Sequence, residues 1–169
     1  MSLSMYRLSI PAFVRGFGVL SSSLDKAEAH AQAHGLESEI LVQARLAPDM
    51  LPLAGQVQRA SDTSKNAIAR LAGIEAPAFP DTESTFAELR QRIANTLEFF
   101  AQVQPAQLEG SQERQITLKF GKFQTALSGE EYLLTFALPN FYFHIATAHG
   151  ILRHQGVQIG KLDYLGPFA

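Results

Sequence analysis

Cysteine is absent from the 169 residues. Its absence removes disulfides, thiolate metal ligands and cysteine nucleophiles, so a metal would have to be held by His, Asp or Glu; it also suits a cytoplasmic protein. No run of 18 uncharged apolar residues exists, so no segment is expected to span a membrane. Arg7 and Arg15 interrupt the apolar N-terminal stretch and no small-residue cleavage site follows it, which argues against a secretion signal. Basic charge is scarce and scattered: 14 Lys and Arg stand against 16 Asp and Glu, a net charge of −2. The stripe that a nucleic-acid partner requires is missing. No glycine-rich phosphate loop follows a strand, and neither GQVQ nor GKFQ has the spacing of a nucleotide fingerprint. Ser21, Ser22 and Ser23 have no elbow motif around them and read as packing or surface serines. With no repeat or low-complexity tract, a single domain over 1–169 is expected, long enough to bury a substantial core without staples.

What is present is helical periodicity. Leu3, Tyr6, Ile10, Phe13, Phe17, Leu20, Leu24, Ala27 and Ala31 recur at spacings of three and four, predicting one long helix that carries Pro11 near its start and ends at Gly35. Leu36 to Pro48 reads as a packed connector, with Asp49 as the cap of a second helix and Pro52 in its first turn. That helix runs through Leu53, Val57, Ala60, Ser64, Ala67 and Leu71 to Gly73, with small residues (Ala60, Ser61, Ser64) that permit close approach of a neighbour or leave room for a ligand. IEAPAFPD is a linker. Thr85 and Glu88 have capping-box spacing, with Asp81 or Thr82 as earlier candidates for the cap, ahead of a third helix over Phe86, Leu89, Ile93, Thr96 and Phe100.

The period then changes. Ile116, Leu118 and Phe120 alternate with polar residues, as do Phe123, Thr125 and Leu127 across Gly121-Lys122, which predicts a short hairpin. Ser128 and Glu131 form a second capping-box pair, opening a short helix that Pro139 ends or bends. In the fourth long helix Phe141, Ile145, Ala148 and Leu152 lie within about 60° of one another at 100° per residue, so that stripe is buried. Tyr142, Phe143, Ala146 and Ile151 extend the apolar surface well beyond it. The C-terminal tail is aperiodic but apolar and is expected to lie along the bundle, using Tyr164 and Phe168. The sum is an all-α four-helix bundle with a long crossover, carrying the hairpin, between its third and fourth helices.

Three of the five histidines fall in that fourth helix. His144 and His149 are about 140° apart on a straight helix, and His154 lies about 15 Å along the axis from His144, so no two of them chelate one ion unaided. Only His30 and His34 have chelating spacing, and His34 also suits a helix C-terminus. His144 and His149 are candidate acids, bases or ligands, because a half-buried imidazole titrates near neutrality in a helix otherwise poor in polar groups. Asp62 lies opposite the second helix's stripe and reads as solvated or facing a partner, with Gln56 at the stripe's edge.

The stretches RLAPDMLPLAGQV, ARLAGIEAP and ALPNFYFHIATAHGILRHQGVQIGKLDYLG resemble a bacterial domain-of-unknown-function family grouped with the DinB/YfiT-like bundles, over almost the whole chain. The resemblance implies a four-helix bundle, often a homodimer. Metal-binding members carry one histidine on the second helix and His-x-x-x-His on the last, and include thiol-dependent transferases and isomerases. Here Leu152-Arg153-His154-Gln155-Gly156 resembles the end of that motif, but Gly150 stands four before His154 and Gln56 occupies the second-helix place. The resemblance thus leaves Gln56, His144 and His154 as the set for a divalent metal such as zinc, nickel or manganese, two of the usual three histidines being replaced. Two expectations follow. One is a metal- or thiol-dependent enzyme acting on a small molecule, with His144 or His149 as acid, base or ligand. The other is a non-catalytic dimeric binding or stress-related bundle that has lost the metal site.

Overall fold

The structure is a computed structural model that describes residues 4–166. Leu3, Phe168 and the side chains of Phe120 and Phe123 lie outside the described residues, so what was expected of them is not taken further. The first helix, α1 (Met5–His34), is capped by the Ser4 hydroxyl and closes at Gly35 with φ 62°, holding Pro11 within it. Its periodic residues from Ile10 to Ala31 are buried as the spacing predicts. The connector is more structured than expected: it contains the short α2 (Ser38–Val42), which turns Leu41 and Val42 inward and leaves Ile40 and Leu46 exposed.

The second long helix, α3 (Leu53–Ala72), corrects the cap assigned to Asp49. Pro52 takes the cap position and makes no side-chain cap bond. The reason is local: the residue before a proline is driven out of the α region, so Leu51 cannot continue a helix begun at Asp49. The turn instead closes on itself, with Leu53 N–H donating to Ala44 O and Arg45 donating to Met50 O. After Gly73 the linker 74–85 runs back along α3, held by Asp81 on Arg59 and by Gln58 on Glu83 at 2.9 Å. Its return makes α4 (Phe86–Gln102) lie parallel to α3, and the predicted Thr85–Glu88 capping box starts it.

Two single-turn 3-10 segments (Pro105–Leu108 and Ser111–Glu113) lead to the hairpin β1 (Gln115–Phe120) and β2 (Phe123–Ser128), antiparallel with Ile116 opposite Leu127 and Leu118 opposite Thr125. Pro139 does not end the helix. The chain does not break there: α5 (Gly129–Glu131), a π segment (Tyr132–Ala137) and α6 (Leu138–His154) are continuous, the junction residues Tyr132, Ala137 and Leu138 all being αR. Proline lacks the N–H that the preceding turn would use, and the widened turn falls just ahead of it, so the helix passes the proline instead of ending.

Around the bundle, α1 neighbours α4 and α6, and α3 neighbours the same two. The excursion from α4 to α6 therefore joins opposite corners, the crossover expected from the sequence. Phe13, Phe17, Phe100 and Phe141 make the aromatic centre, Phe141 standing edge-on to Phe13 at 4.9 Å and to Phe17 at 5.2 Å between ring centres. Gly16 is required at that point, because a Cβ there would overlap the Phe141 ring. The tail buries Val157 and Ile159 and then forms α7 (Lys161–Leu165) against α1, where Lys26 pairs with Asp163 at 2.5 Å. No described helix is long and apolar enough to cross a membrane.

Candidate functional site

Helices α3 and α6 run antiparallel, and three polar pairs link α3 to the helix that includes α6. Gln56 meets His144 at 2.8 Å, Asn140 donates to Thr63 at 3.2 Å, and Arg70 donates to the Tyr132 hydroxyl at 2.9 Å. Between these pairs lies a cavity of about 240 Å³. Arg59, Asp62, Thr63, Asn66 and Arg70 line one wall; Tyr132, Phe136, Asn140 and His144 line the other.

The π segment explains why the second wall is one face. On a regular α-helix, residues twelve apart are rotated by about 120°, which would turn Tyr132 away from His144. A single wide turn amounts to one extra residue and takes back about 100°. Tyr132, Phe136, Asn140 and His144, each four apart, therefore share a wall.

Hydrogen bonding fixes the His144 tautomer. The Gln56 amide nitrogen donates to Leu51 O at 3.0 Å, which turns its oxygen toward His144 Nδ1. A carbonyl oxygen only accepts, so Nδ1 carries the proton and Nε2 keeps a lone pair. Nε2 has no hydrogen-bond partner among the described residues. Burial, with a smaller push from the Arg59 charge, lowers the His144 pKa to about 4, so the ring is neutral at pH 7.

Asp62, whose side chain is 22% exposed, accepts from Lys65 at 2.7 Å and from Arg92 at 2.9 Å and pairs with Arg59 at 3.4 Å. Arg92 is buried and also binds Glu83 at 2.9 Å, Asp81 at 3.1 Å and Pro80 O at 3.0 Å. Burial pushes the Glu83 carboxyl up, but hydrogen bonds from Arg92 and Gln58 outweigh it and hold the pKa below the ordinary value. Of the small residues, Ser61 serves close approach, its hydroxyl meeting that of Thr96 on α4 at 2.8 Å.

The remaining histidines lie apart. His149 lines a separate shallow cavity with Ala146, Lys161 and Tyr164, edge-on to the Tyr164 ring at 5.7 Å. Its Nδ1 is buried without a partner, and burial lowers its pKa, partly countered by Asp163. His154 is exposed at the end of α6, so the structure brings Gln56 to His144 and leaves His154 outside the pair. His34 donates through Nδ1 to His30 O at 2.8 Å, a C-terminal backbone contact. These donors do not fit a shared metal: the Gln56 amide is committed at both ends, and no group of three His, Cys, Asp or Glu among the described residues is arranged to hold one.

The polar residues of the groove other than His144, Gln56 and Asp62 were not singled out from the sequence. The fourfold spacing of Phe136, Asn140 and His144 is a readable signal, but Tyr132 joins it only through the π segment.

A family described as "Domain of unknown function (DUF1993)" matches residues 5–165. Among solved structures, the chain is similar to a crystal structure of a DinB family member protein from Shewanella denitrificans. The two are 41% identical with a TM-score of 0.90, over 97% of this chain and 93% of that one. No curated protein matches. By the family match over residues 5–165 and the 41% identity to a DinB family member, the chain belongs to the DUF1993 domain-of-unknown-function family and is DinB-like.

Proposed function

We propose that the protein binds and acts on a small polar molecule in the α3–α6 groove, with His144 as the group that accepts a hydrogen bond or a proton. The observation that carries this is the Gln56–His144 pair, which presents an imidazole in one tautomer with Nε2 unpartnered at a cavity. A base must be unprotonated before it can act, and an imidazole with pKa about 4 is so at neutral pH. His149 is the secondary candidate, on its own cavity beyond reach of a joint role. The non-catalytic alternative is favoured by one observation, the absence of a shared metal set around Gln56, His144 and His154. The two are separated by screening small molecules against wild type and His144→Ala. Turnover or binding lost in the variant supports the proposal, and ligands indifferent to His144 overturn it. Metal analysis of untagged protein adds to this, since stoichiometric zinc, nickel or manganese is the result the alternative forbids.

We also propose a cytoplasmic homodimer. Val14 and Leu162 border an apolar groove between α1 and α7, and Leu162 is 75% exposed. A second copy would cover this surface, and a two-fold axis is the commonest symmetry for such an assembly.

A further inference from the structure

The α3–α6 groove holds more hydrogen-bond donors than acceptors. Its one carboxylate, Asp62, is committed to Arg59, Lys65 and Arg92. Within that cluster three cations face three carboxylates, Asp62, Asp81 and Glu83, so it contributes no net charge. Arg70 stands outside it. No carboxylate lies within ion-pair distance of Arg70 among the described residues, and one of its nitrogens donates to Tyr132 while the guanidinium lies 5.8 Å from that ring's centre. The Tyr132 hydroxyl, accepting from Arg70, keeps its own proton, for which no acceptor is found among the described residues. Burial raises the Tyr132 pKa, so this proton stays in place at neutral pH. The Asn66 amide, on the same wall as Arg70, makes no side-chain hydrogen bond among the described residues.

We infer that Arg70, Tyr132 and Asn66 form a carboxylate subsite, so that the groove's ligand is a small organic acid whose body lies along Asn140 toward His144. A carboxylate offers about four acceptor positions and matches a guanidinium fork, which answers this surplus of donors. The same groove does not suit a cation, which would meet Arg59 and Arg70. The subsite and His144 lie toward opposite ends of the cavity, which calls for an extended acid, carrying a donor at its far end for the His144 lone pair.

This inference rests on the groove being the binding site, and the test keeps the two apart. Hexanoate, 6-hydroxyhexanoate, hexanamide and inorganic phosphate are titrated at millimolar concentration into the full chain, following Tyr132 and His144 resonances by NMR. Hexanoate is expected to move the Tyr132 signals and hexanamide not to. Arg70→Gln is expected to weaken hexanoate about tenfold, equivalent to ~1.4 kcal/mol, with Arg70→Lys in between. Unchanged backbone spectra of both variants establish that they fold. The hydroxyl analogue should additionally move the His144 ring signals; if it moves only Tyr132, the subsite stands and the role given to His144 fails. Equal response to hexanamide, an equal response to phosphate, or no response to any probe overturns the carboxylate assignment.

Discussion

At the scale of single residues, the protonation of His144 governs what the groove can do. Its ring is expected to remain neutral until pH approaches about 4, which an NMR titration of its carbon-bound protons reads directly. The folded state then binds fewer protons than the unfolded chain between the ordinary value of 6.5 and about 4. Stability from this group is therefore present above pH 6.5 and is lost as pH falls through that window. Replacing Gln56 by Glu puts a carboxylate on Nδ1–H and should raise the His144 pKa; an unchanged titration would show that Gln56 does not set the ring. Arg92 offers a second test. Its side chain is 1% exposed and answers three carboxylates, so Arg92→Ala should cost about 3–5 kcal/mol in denaturant unfolding. A loss of a few tenths would mean that the linker 74–85 is held by other contacts. Only part of this was legible in the sequence. His144 was visible, with His149, as a candidate acid, base or ligand in a helix otherwise poor in polar groups, but its tautomer depends on the glutamine from α3, and Arg92 carries no local pattern at all.

At the scale of elements, legibility followed locality. The two capping boxes, the Gly35 and Gly73 C-caps, the hairpin register and the buried stripe of α6 depend on residues a few positions apart, and each is found where the spacing places it. The cap at Asp49 failed because the restriction that Pro52 places on Leu51 outweighs the side chain's capping preference. The helix does not end at Pro139, because a chain that meets a proline can widen one turn ahead of it and continue. That option is testable, since a wide turn is equivalent to one inserted residue. Deleting Leu134, which is exposed within the π segment, should restore regular α spacing and leave Tyr132 in the groove, because eleven residues then separate it from His144 and rotate it by only about 20°. Helix content by circular dichroism, the tyrosine near-ultraviolet signal and any ligand response at Arg70 should all hold. A deletion variant that loses both the tyrosine signal and the ligand response would sever the link between the π segment and the groove.

At the scale of the whole molecule, the excess apolar surface of α6 is mostly covered by the chain itself. Ile151 is buried and Tyr142 is half-buried with its hydroxyl on Ala12 O, which leaves Phe143, 57% exposed, and Ala146 outside. The stronger demand comes from α1 and α7, where a cavity of about 720 Å³ is bordered by Val14, Val19 and Leu162. Leu162 projects from a five-residue helix whose attachment to α1 includes the Lys26–Asp163 pair, so it is presented on a supported element. Burying an aliphatic side chain of this size contributes about 1.5–3 kcal/mol, and a two-fold interface counts it twice. Sedimentation at micromolar concentration is therefore expected to show a species of twice 18.5 kDa, and Leu162→Asp to return it to 18.5 kDa with the helical signal intact. A wild-type chain that sediments at 18.5 kDa refutes the dimer; a dimer indifferent to Leu162→Asp moves the interface from the α1–α7 groove to the Phe143 face of α6.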